Sequence, residues 1–304
     1  MFTRRHPYLF FLMICCTMLS AAVIIVSFLV VKGLEKTDFS DLIVENEGGQ
    51  VGVVEIKGVI ADSAETIRLI KRFREDDAIR AIVLRVESPG GVVGPSQEIY
   101  REIEKTVLVK KVIASMGSVA ASGGYYVSAA ADGIIANPGT ITGSIGVIMG
   151  YTNFEGLLDK IGLTPVVIKS GEFKDMGSPT RKMTPQERKT LQYFVDQTHR
   201  QFVAAIAKGR DMELSAVEKL ADGRIYTGEE ALKQGLIDRL GNLEDAIEWA
   251  GRLAGVEGKI SAVYKREEKF SFLKYLSESV LNDLISKIAG NGLQGGYIYR
   301  PGGE

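Results

Sequence analysis

Residues 81–86 read AIVLRV, and the turn Ser88-Pro89-Gly90-Gly91 follows them. A strand with one face in water alternates apolar and polar residues, whereas this run is nearly all apolar, as in strands that are buried on both faces. Such strands are typical of parallel sheets. Similar short runs occupy 51–56, 112–116, 133–136, 145–149 and 165–169. The sequence therefore predicts a parallel sheet that is covered on both sides.

Helical patterns fall between these runs, which is typical of an α/β fold. A long helix is predicted at 185–208, because Thr184 can cap it and Pro185 suits its first turn. We find no internal repeat, so 51–264 is predicted to be one compact α/β unit with helical additions. The other predicted helices are 63–74 after an Asp62-Ser63 cap, 95–107, a segment that begins near Ser122, 154–161, 229–234 and 244–254, with a short extended piece within 222–228.

The N-terminal segment 8–31 carries no formal charge. As a helix it would span roughly 36 Å, enough to cross a hydrocarbon core of about 30 Å. A cleaved signal peptide is the alternative, but its apolar region is usually only about 7–15 residues long. The small residues Ser20-Ala21-Ala22 also lie in the middle of the run. We therefore predict an uncleaved transmembrane anchor.

The charges around this anchor predict its orientation. Arg4 and Arg5 precede it, whereas Lys32 alone follows it at once. Because positive residues favour the cytoplasmic side, 1–7 should be cytoplasmic. Everything after the anchor should then face the periplasm or the cell exterior, with 32–50 as a tether to the globular domain.

The C-terminal part of the chain has two patterns. Apolar residues recur at helical spacing within 265–289, which predicts an amphipathic helix whose apolar face belongs to the core or to a subunit interface rather than to the membrane surface. The glycine-rich tail 290–304 is predicted to be disordered.

Composition excludes several function classes. A formal net charge of -1 gives no reason to expect a nucleic acid partner. Both cysteines, Cys15 and Cys16, lie in the apolar N-terminal run, so the globular part has no disulfide. The chain also has only 2 histidines. Zinc and non-haem iron sites need clustered His, Cys, Asp and Glu, so we predict neither a metal centre nor a cofactor.

Three glycine turns follow predicted strands, at 88–91, 122–124 and 142–146. Ligands of open α/β sheets gather at the carboxyl ends of the strands. Glycines let backbone N–H groups reach a ligand, as an oxyanion hole requires, and we predict Gly91 and Gly123 as the donors. Each turn alone is also compatible with an ordinary connection between a strand and a helix. None of the turns has the G-x-G-x-x-G pattern of dinucleotide-binding proteins. The G-x-S-x-G nucleophile elbow is also absent at Ser122, because residue 120 is Ala.

Ser122 is the candidate nucleophile of this cleft. Outside the first dozen residues the chain has a single histidine, His199, which falls within the predicted helix 185–208. A Ser-His-Asp triad is therefore disfavoured, and the base of Ser122 should be a lysine. The spacing alone leaves three candidates open: Lys169, Lys174 and Lys182.

Four motifs follow one another along the chain. They are Ser88-Pro89-Gly90-Gly91, then 116–126 around Ala-Ser-Gly-Gly, then Thr140-Ile141-Thr142-Gly143-Ser144-Ile145-Gly146-Val147, then Phe173-Lys174-Asp175-Met176-Gly177-Ser178-Pro179. In this order they resemble the signal peptide peptidase A family, the membrane-anchored serine proteases of class S49. The resemblance covers nearly everything from residue 51 to about 255.

By this resemblance Ser122 is the nucleophile, Lys174 the general base, and Ser144 the hydroxyl that holds the lysine amine. The fold is then related to the Clp protease and crotonase group. The chain has one Ser-bearing and one Lys-bearing segment, like the short form of the family. The resemblance further implies a homo-oligomeric ring or dome, and extended peptide substrates such as cleaved signal peptides.

Two other functions remain open at this point. A crotonase-like acyl-thioester enzyme would share the fold, but it needs acidic catalytic residues and a cytosolic domain. A catalytically silent membrane scaffold would not need Ser122, Lys174 and Ser144. The tail offers a further hypothesis, because the apolar triplet Tyr297-Ile298-Tyr299 could enter a cleft built for extended peptides.

Overall fold

In the computed structural model, residues 17, 18, 20 and 49–264 are described, together with the backbone of 294–298. The chain divides into two compact units, Met1–Val44 and Glu45–Glu304. The strands are β1 Val51–Lys57, β2 Ala81–Ser88, β3 Gly90–Val92, β4 Lys111–Ala121, β5 Gly133–Ala136, β6 Ile141–Gly143, β7 Ile148–Gly150, β8 Ile225–Tyr226, β9 Arg239–Leu240, β10 Ala262–Tyr264 and β11 Gln294–Ile298.

Within the described part of the chain, the main sheet has eight strands, six of them in the order β10-β1-β2-β4-β5-β9. These neighbours are all parallel. Strand β6 continues the sheet beside the end of β4, and β8 pairs with β6 in the antiparallel sense. A second sheet of three strands, in the order β3-β11-β7, is antiparallel. The predicted parallel sheet is confirmed for these six strands, whereas the antiparallel pairing of β6 with β8 and the second sheet were not predicted.

Helices cover both faces of the main sheet. They are α1 Ala64–Glu75, α2 Val93–Thr106, α3 Gly123–Ser128, α4 Glu155–Lys160, α5 Pro185–Gly209, α6 Leu214–Leu220, α7 Gly228–Lys233 and α8 Leu243–Leu253. Helix α1 packs so closely that a Cβ on Gly52 would lie 2.5 Å from the ring of Phe73. On the opposite face, α8 buries Ala246, Ile247 and Ala250 against the odd-numbered residues of β1, β2 and β4.

Most of the predicted elements are confirmed, with bounds that shift by one to a few residues. The predicted cap of the long helix is also present, since Thr184 and Glu187 form a capping box at the start of α5. Helix α6 and strands β3, β6, β9 and β10 have no predicted counterpart. All are short, and none carries a long periodic pattern.

Two predicted strands differ from the structure. Residues 165–169 form no strand, and Val166 and Ile168 are 83% and 97% exposed. Of the run 145–149, only its end belongs to a strand, β7, which pairs with β11 outside the main sheet. Next to β4 and β5 the places are already taken by β6 and β9, and the end of the run 145–149 pairs with β11 instead.

The segments predicted at the two ends of the chain lie mostly outside the described residues. Within the described part, no helix has the length and hydropathy needed to span a bilayer; the predicted anchor 8–31 is described only at residues 17, 18 and 20. The predicted helix 265–289 also lies outside. The tail 290–304, where the sequence predicts disorder, contains strand β11.

Candidate active site

Ser122 forms the sharp turn from the end of β4 into α3. Its backbone angles are φ 54° and ψ -115°, a conformation that non-glycine residues rarely adopt. Its backbone N–H donates to the carbonyl of Gly143 over 2.8 Å, and the residue is 1% exposed. A strained strand-to-helix turn presents the nucleophile in α/β-hydrolases. The structure thus has an elbow-like turn at Ser122 although the sequence lacks the G-x-S-x-G pattern.

The two predicted oxyanion donors, Gly91 and Gly123, are brought together. A Cβ on Gly123 would lie only 3.0 Å from the backbone nitrogen of Gly91. A Cβ on Gly91 would lie 2.1 Å from the carbonyl oxygen of Ile60, so this position excludes any side chain. The backbone nitrogen of Gly91 therefore lies close to Gly123, the first residue of the helix that follows Ser122.

Ser88 anchors the turn that carries Gly91. Its hydroxyl donates to the carbonyl of Gly58 over 2.6 Å and accepts the N–H of Gly90 over 3.1 Å. The turn is thereby fastened to the end of β1. Ser88 is fully buried, so these bonds are shielded from water.

Ser144 lies directly beside the Ser122 turn, because the residue before it, Gly143, accepts the Ser122 N–H. Ser144 itself has φ 50, is buried, and donates its N–H to the carbonyl of Arg224 over 2.8 Å. Tyr226 packs so closely that a Cβ on Gly143 would lie 2.5 Å from its ring. The segment around β8 therefore holds the second serine in place, a role that the sequence analysis did not predict.

Lys174 is not part of this buried group. It lies in a turn, its N–H donates to the carbonyl of Gly171 over 3.1 Å, and its side chain is exposed. Among the residues that the structure describes, its amine forms no hydrogen bond or ion pair. His199 lies in α5, and its buried Nε2 has no hydrogen-bond partner within the described part of the chain, so it is not bonded to Ser122. The structure thus gathers Ser122, Ser144, Gly91 and Gly123, and leaves Lys174 at the surface of the chain.

An ionic network holds the turn of Lys174 against the start of α5. Asp175 Oδ1 lies 2.6 Å from Lys169 Nζ, and its Oδ2 lies 2.8 Å from Arg181 Nε. Arg181 Nη1 donates to Glu187 Oε2 over 3.0 Å. Hydrogen bonds from Arg181 and Lys169 lower the pKa of Asp175 well below its usual range, so this carboxylate stays charged.

The other end of the network is Glu187. Hydrogen bonds from Arg181 and from the backbone of Thr184 lower its pKa to about 2. Both oxygens of Asp175 are occupied by Lys169 and Arg181, so the carboxylate next to Lys174 is already neutralised. Sequence reasoning missed this network; its only local signal is the mixture of basic and acidic residues between 169 and 187.

A slot between two strands lies beside Gly91. Strand β11 occupies this slot, with β3 on one side and β7 on the other. Residue 297 lies opposite Gly91, residue 296 opposite Val92, and residue 298 opposite Gly90. On the other side, residues 294–296 pair with 148–150. The backbone of the tail therefore runs as a strand directly past the predicted oxyanion donor Gly91.

An exposed apolar surface precedes the turn of Lys174. Besides Val166 and Ile168, it includes Ile161, Leu163 and Val167, each more than half exposed. Monomeric soluble proteins rarely expose large contiguous apolar patches, and such patches mark contacts with other molecules. The segment that leads to Lys174 is thus both apolar and exposed.

Comparison with known proteins gives the family. Residues 105–257 match the profile of peptidase family S49. The chain is 43% identical over 210 residues to a Synechocystis sp. protein named as a protease, covering 68% of this chain and 76% of that one. It is 42% identical over 210 residues to an Enterococcus faecium protein named signal peptide peptidase SppA, covering 64% and 60%. To protease 4 of Salmonella typhi it is 34% identical over 233 residues, covering 73% and 38%. The turn of Ser122 fits these matches, and the matches show that the chain belongs to peptidase family S49, the serine proteases that include signal peptide peptidase A.

Proposed function

We propose that this protein is a membrane-anchored serine endopeptidase that uses a Ser122–Lys174 dyad to degrade signal peptides left in the membrane after preprotein processing. The observation that carries the proposal is the path of β11. Its backbone lies as a strand between β3 and β7, opposite Gly91. A groove that takes one extended segment by main-chain pairing suits other extended peptides as well.

In the proposed mechanism, the hydroxyl of Ser122 attacks the scissile carbonyl while Lys174 accepts its proton. The N–H groups of Gly91 and Gly123 stabilise the oxyanion of the tetrahedral intermediate. Lys174 then protonates the leaving amine, and a water molecule hydrolyses the acyl-enzyme by the same steps. Ser144 is proposed to hold the lysine amine in the orientation that accepts the proton.

This mechanism requires a neutral lysine. A free lysine has a pKa of about 10.4, and lowering it to about 7–8 disfavours the charged form by about 4 kcal/mol. Removal from water is the main way to lower a lysine pKa. Lys174 is exposed in the single chain. We therefore propose that a second copy covers the apolar surface before Lys174, and that assembly both buries this surface and removes water from the amine.

The substrate class rests on two supports. The slot pairs with backbone groups, which all peptides share, so selection among peptides must come from side-chain pockets and from access. The Enterococcus faecium relative is named for signal peptides. Cleaved signal peptides are apolar and lie in the membrane, so an anchor at 8–31 would hold the protease near them. The proposed location is the cell membrane, with the catalytic domain facing the periplasm or the exterior.

Labelling of the active-site serine tests the catalytic part. The purified full-length protein is treated with a fluorophosphonate probe, and hydrolysis of a fluorogenic peptide is measured in parallel. Wild type should be labelled and active, whereas Ser122→Ala should be neither, with an unchanged circular dichroism spectrum. Ser118→Ala is the matched control, since it removes a hydroxyl four residues earlier on β4. Turnover retained by Ser122→Ala would refute the assignment.

Protease protection tests the location. Protease added to intact spheroplasts should digest the region after residue 31, while a cytoplasmic control protein stays intact. If that region were digested only after lysis, the proposed orientation would be reversed.

A further inference from the structure

An unequal segment interrupts the pairing of β2 with β4 just before both strands reach the active site. Val86 lies opposite Met116, and the next pair is Ser88 with Ala120. Strand β4 therefore uses the three residues 117–119 where β2 uses Glu87 alone. Such a bulge bends a strand and leaves backbone groups without ladder partners.

The side chain of Glu87 supplies those partners. Its Oε2 accepts the N–H of Ser118 over 2.8 Å, and its Oε1 accepts the N–H of Val119 over 3.0 Å. The carbonyl of Gly117 accepts a hydrogen bond from the hydroxyl of Thr140 over 2.7 Å. The backbone of the bulge is therefore held at both its donor and its acceptor groups, and Glu87 holds the two donors.

The bulge determines where β4 goes next. Before it, β4 pairs with β5, up to Met116 opposite Ala136. After it, β4 pairs with β6, from Val119 opposite Ile141 to Ala121 opposite Gly143. The change of partner brings Ser122 to Gly143. On the other strand, Glu87 is followed directly by Ser88 and the turn that carries Gly91. Glu87 thus lies between the segment that carries the nucleophile and the segment that carries an oxyanion donor.

We propose that Glu87 is a positioning residue of the peptidase: its carboxylate fixes the β4 bulge and so sets the distance between Ser122 and the Gly91 turn. The proposal rests on the proposed function, in which these groups act together. A carboxylate suits the task because it offers an acceptor to each of two N–H groups. A glutamine would keep one acceptor and would direct an N–H₂ group at the second donor.

The first test replaces the carboxylate. In the full-length enzyme, Glu87→Gln should lower kcat by about 100-fold, because small displacements of reacting groups cost about that much. KM should stay within about threefold, since β3 and β7 remain. Glu55→Gln is the matched control: Glu55 lies on the same face of the sheet and pairs with the exposed Lys57 at 2.8 Å. Its kcat should equal that of wild type.

A second test displaces the carboxylate without removing it. A Cβ on Gly117 would lie 1.8 Å from Glu87 Oε2, the free end of a flexible side chain. Gly117→Ala should therefore push the carboxylate aside and reproduce the loss of kcat. The double variant Glu87→Gln/Gly117→Ala should be no worse than either single variant, because both act through one contact. Gly139→Ala, whose added Cβ meets nothing within 4 Å, is the control.

Three kinetic outcomes would overturn the proposal: Glu87→Gln with kcat within about threefold of wild type, losses of kcat in the two single variants that multiply in the double variant, or a loss that appears in KM alone. Labelling of Ser122 by the fluorophosphonate should slow in parallel with kcat. If Glu87 had only a structural role, Glu87→Gln would lower the melting temperature without slowing the labelling of the folded enzyme. This result would also refute the proposal. Failure of the proposed function is distinguishable, since wild type itself would then show no labelling or turnover that Ser122→Ala abolishes.

Discussion

Replacing Gly123 with Ala tests the proposed oxyanion hole. The added Cβ would lie 2.9 Å from Ser96 Oγ, 3.0 Å from Gly91 N and 3.2 Å from Gly90 Cα. Comfortable contacts begin at about 3.5 Å, so Gly123 and the Gly91 turn must separate by about 0.5 Å. Two N–H donors that fit an oxyanion at about 2.7–3.1 Å then no longer both reach it.

The loss of one such donor costs about 10²–10³ in kcat. We therefore expect Gly123→Ala to lower kcat by about 100-fold or more, with KM changed by less than about threefold, because the β3 and β7 pairing remains. The forced separation should cost about 1–3 kcal/mol of stability, so the variant should melt at a lower temperature but remain folded under the assay conditions.

The assay is hydrolysis of a fluorogenic peptide, with the melting temperature measured on the same samples. Gly156→Ala is the control, because it lies in α4 and its added Cβ would meet nothing within 4 Å. A folded Gly123→Ala enzyme with kcat within about threefold of wild type would refute the assignment of this donor.

Three further predictions concern the base, its turn and the tail. Lys174→Arg should be nearly as inactive as Lys174→Ala, because a guanidinium stays protonated; a kcat within about tenfold of wild type would identify another base. The Glu187 pKa of about 2 means that its pairing with Arg181 stabilises the fold fully above about pH 4.5 and progressively less as the pH falls toward 2. The difference in melting temperature between wild type and Arg181→Met should therefore shrink between about pH 5 and pH 2, and a constant difference would contradict the pairing. Truncation after Ile288 should lower KM for small peptides about two- to tenfold at similar kcat, as removal of a tethered competitor would; an unchanged KM in the assembled truncated enzyme would exclude competition by the tail.

Local patterns predicted the central part of the fold well. The runs in β1, β2, β4 and β5 are apolar because these strands are covered on both faces, so composition carries the information. The run at 165–169 has the same composition but lies exposed. A short apolar run has the same signature whether it contacts the core of its own chain or another molecule, so sequence alone could not separate the two cases.

The candidate site likewise has a part that the sequence predicts and a part that it does not. Ser122, Gly91 and Gly123 follow strands and lie together at the turn, as expected for the carboxyl ends of parallel strands. The support for Ser144 from Arg224 and Tyr226 could not be predicted, because it joins segments far apart in the sequence through β6 and β8. The role of Glu87 depends on strand register, which apolar patterning does not specify at a bulge.

The positive φ angles of Ser122 and Ser144 have a consequence for engineering. Non-glycine residues in such conformations cost about 1–3 kcal/mol each, which the surrounding structure must offset. A Ser144→Gly substitution would relieve this cost and raise the melting temperature while removing a hydroxyl from the site. Selection for heat resistance alone would therefore favour glycine at both positions and, under the proposed mechanism, would yield stable variants without activity. A screen for a more durable form of this protease has to measure turnover in every round.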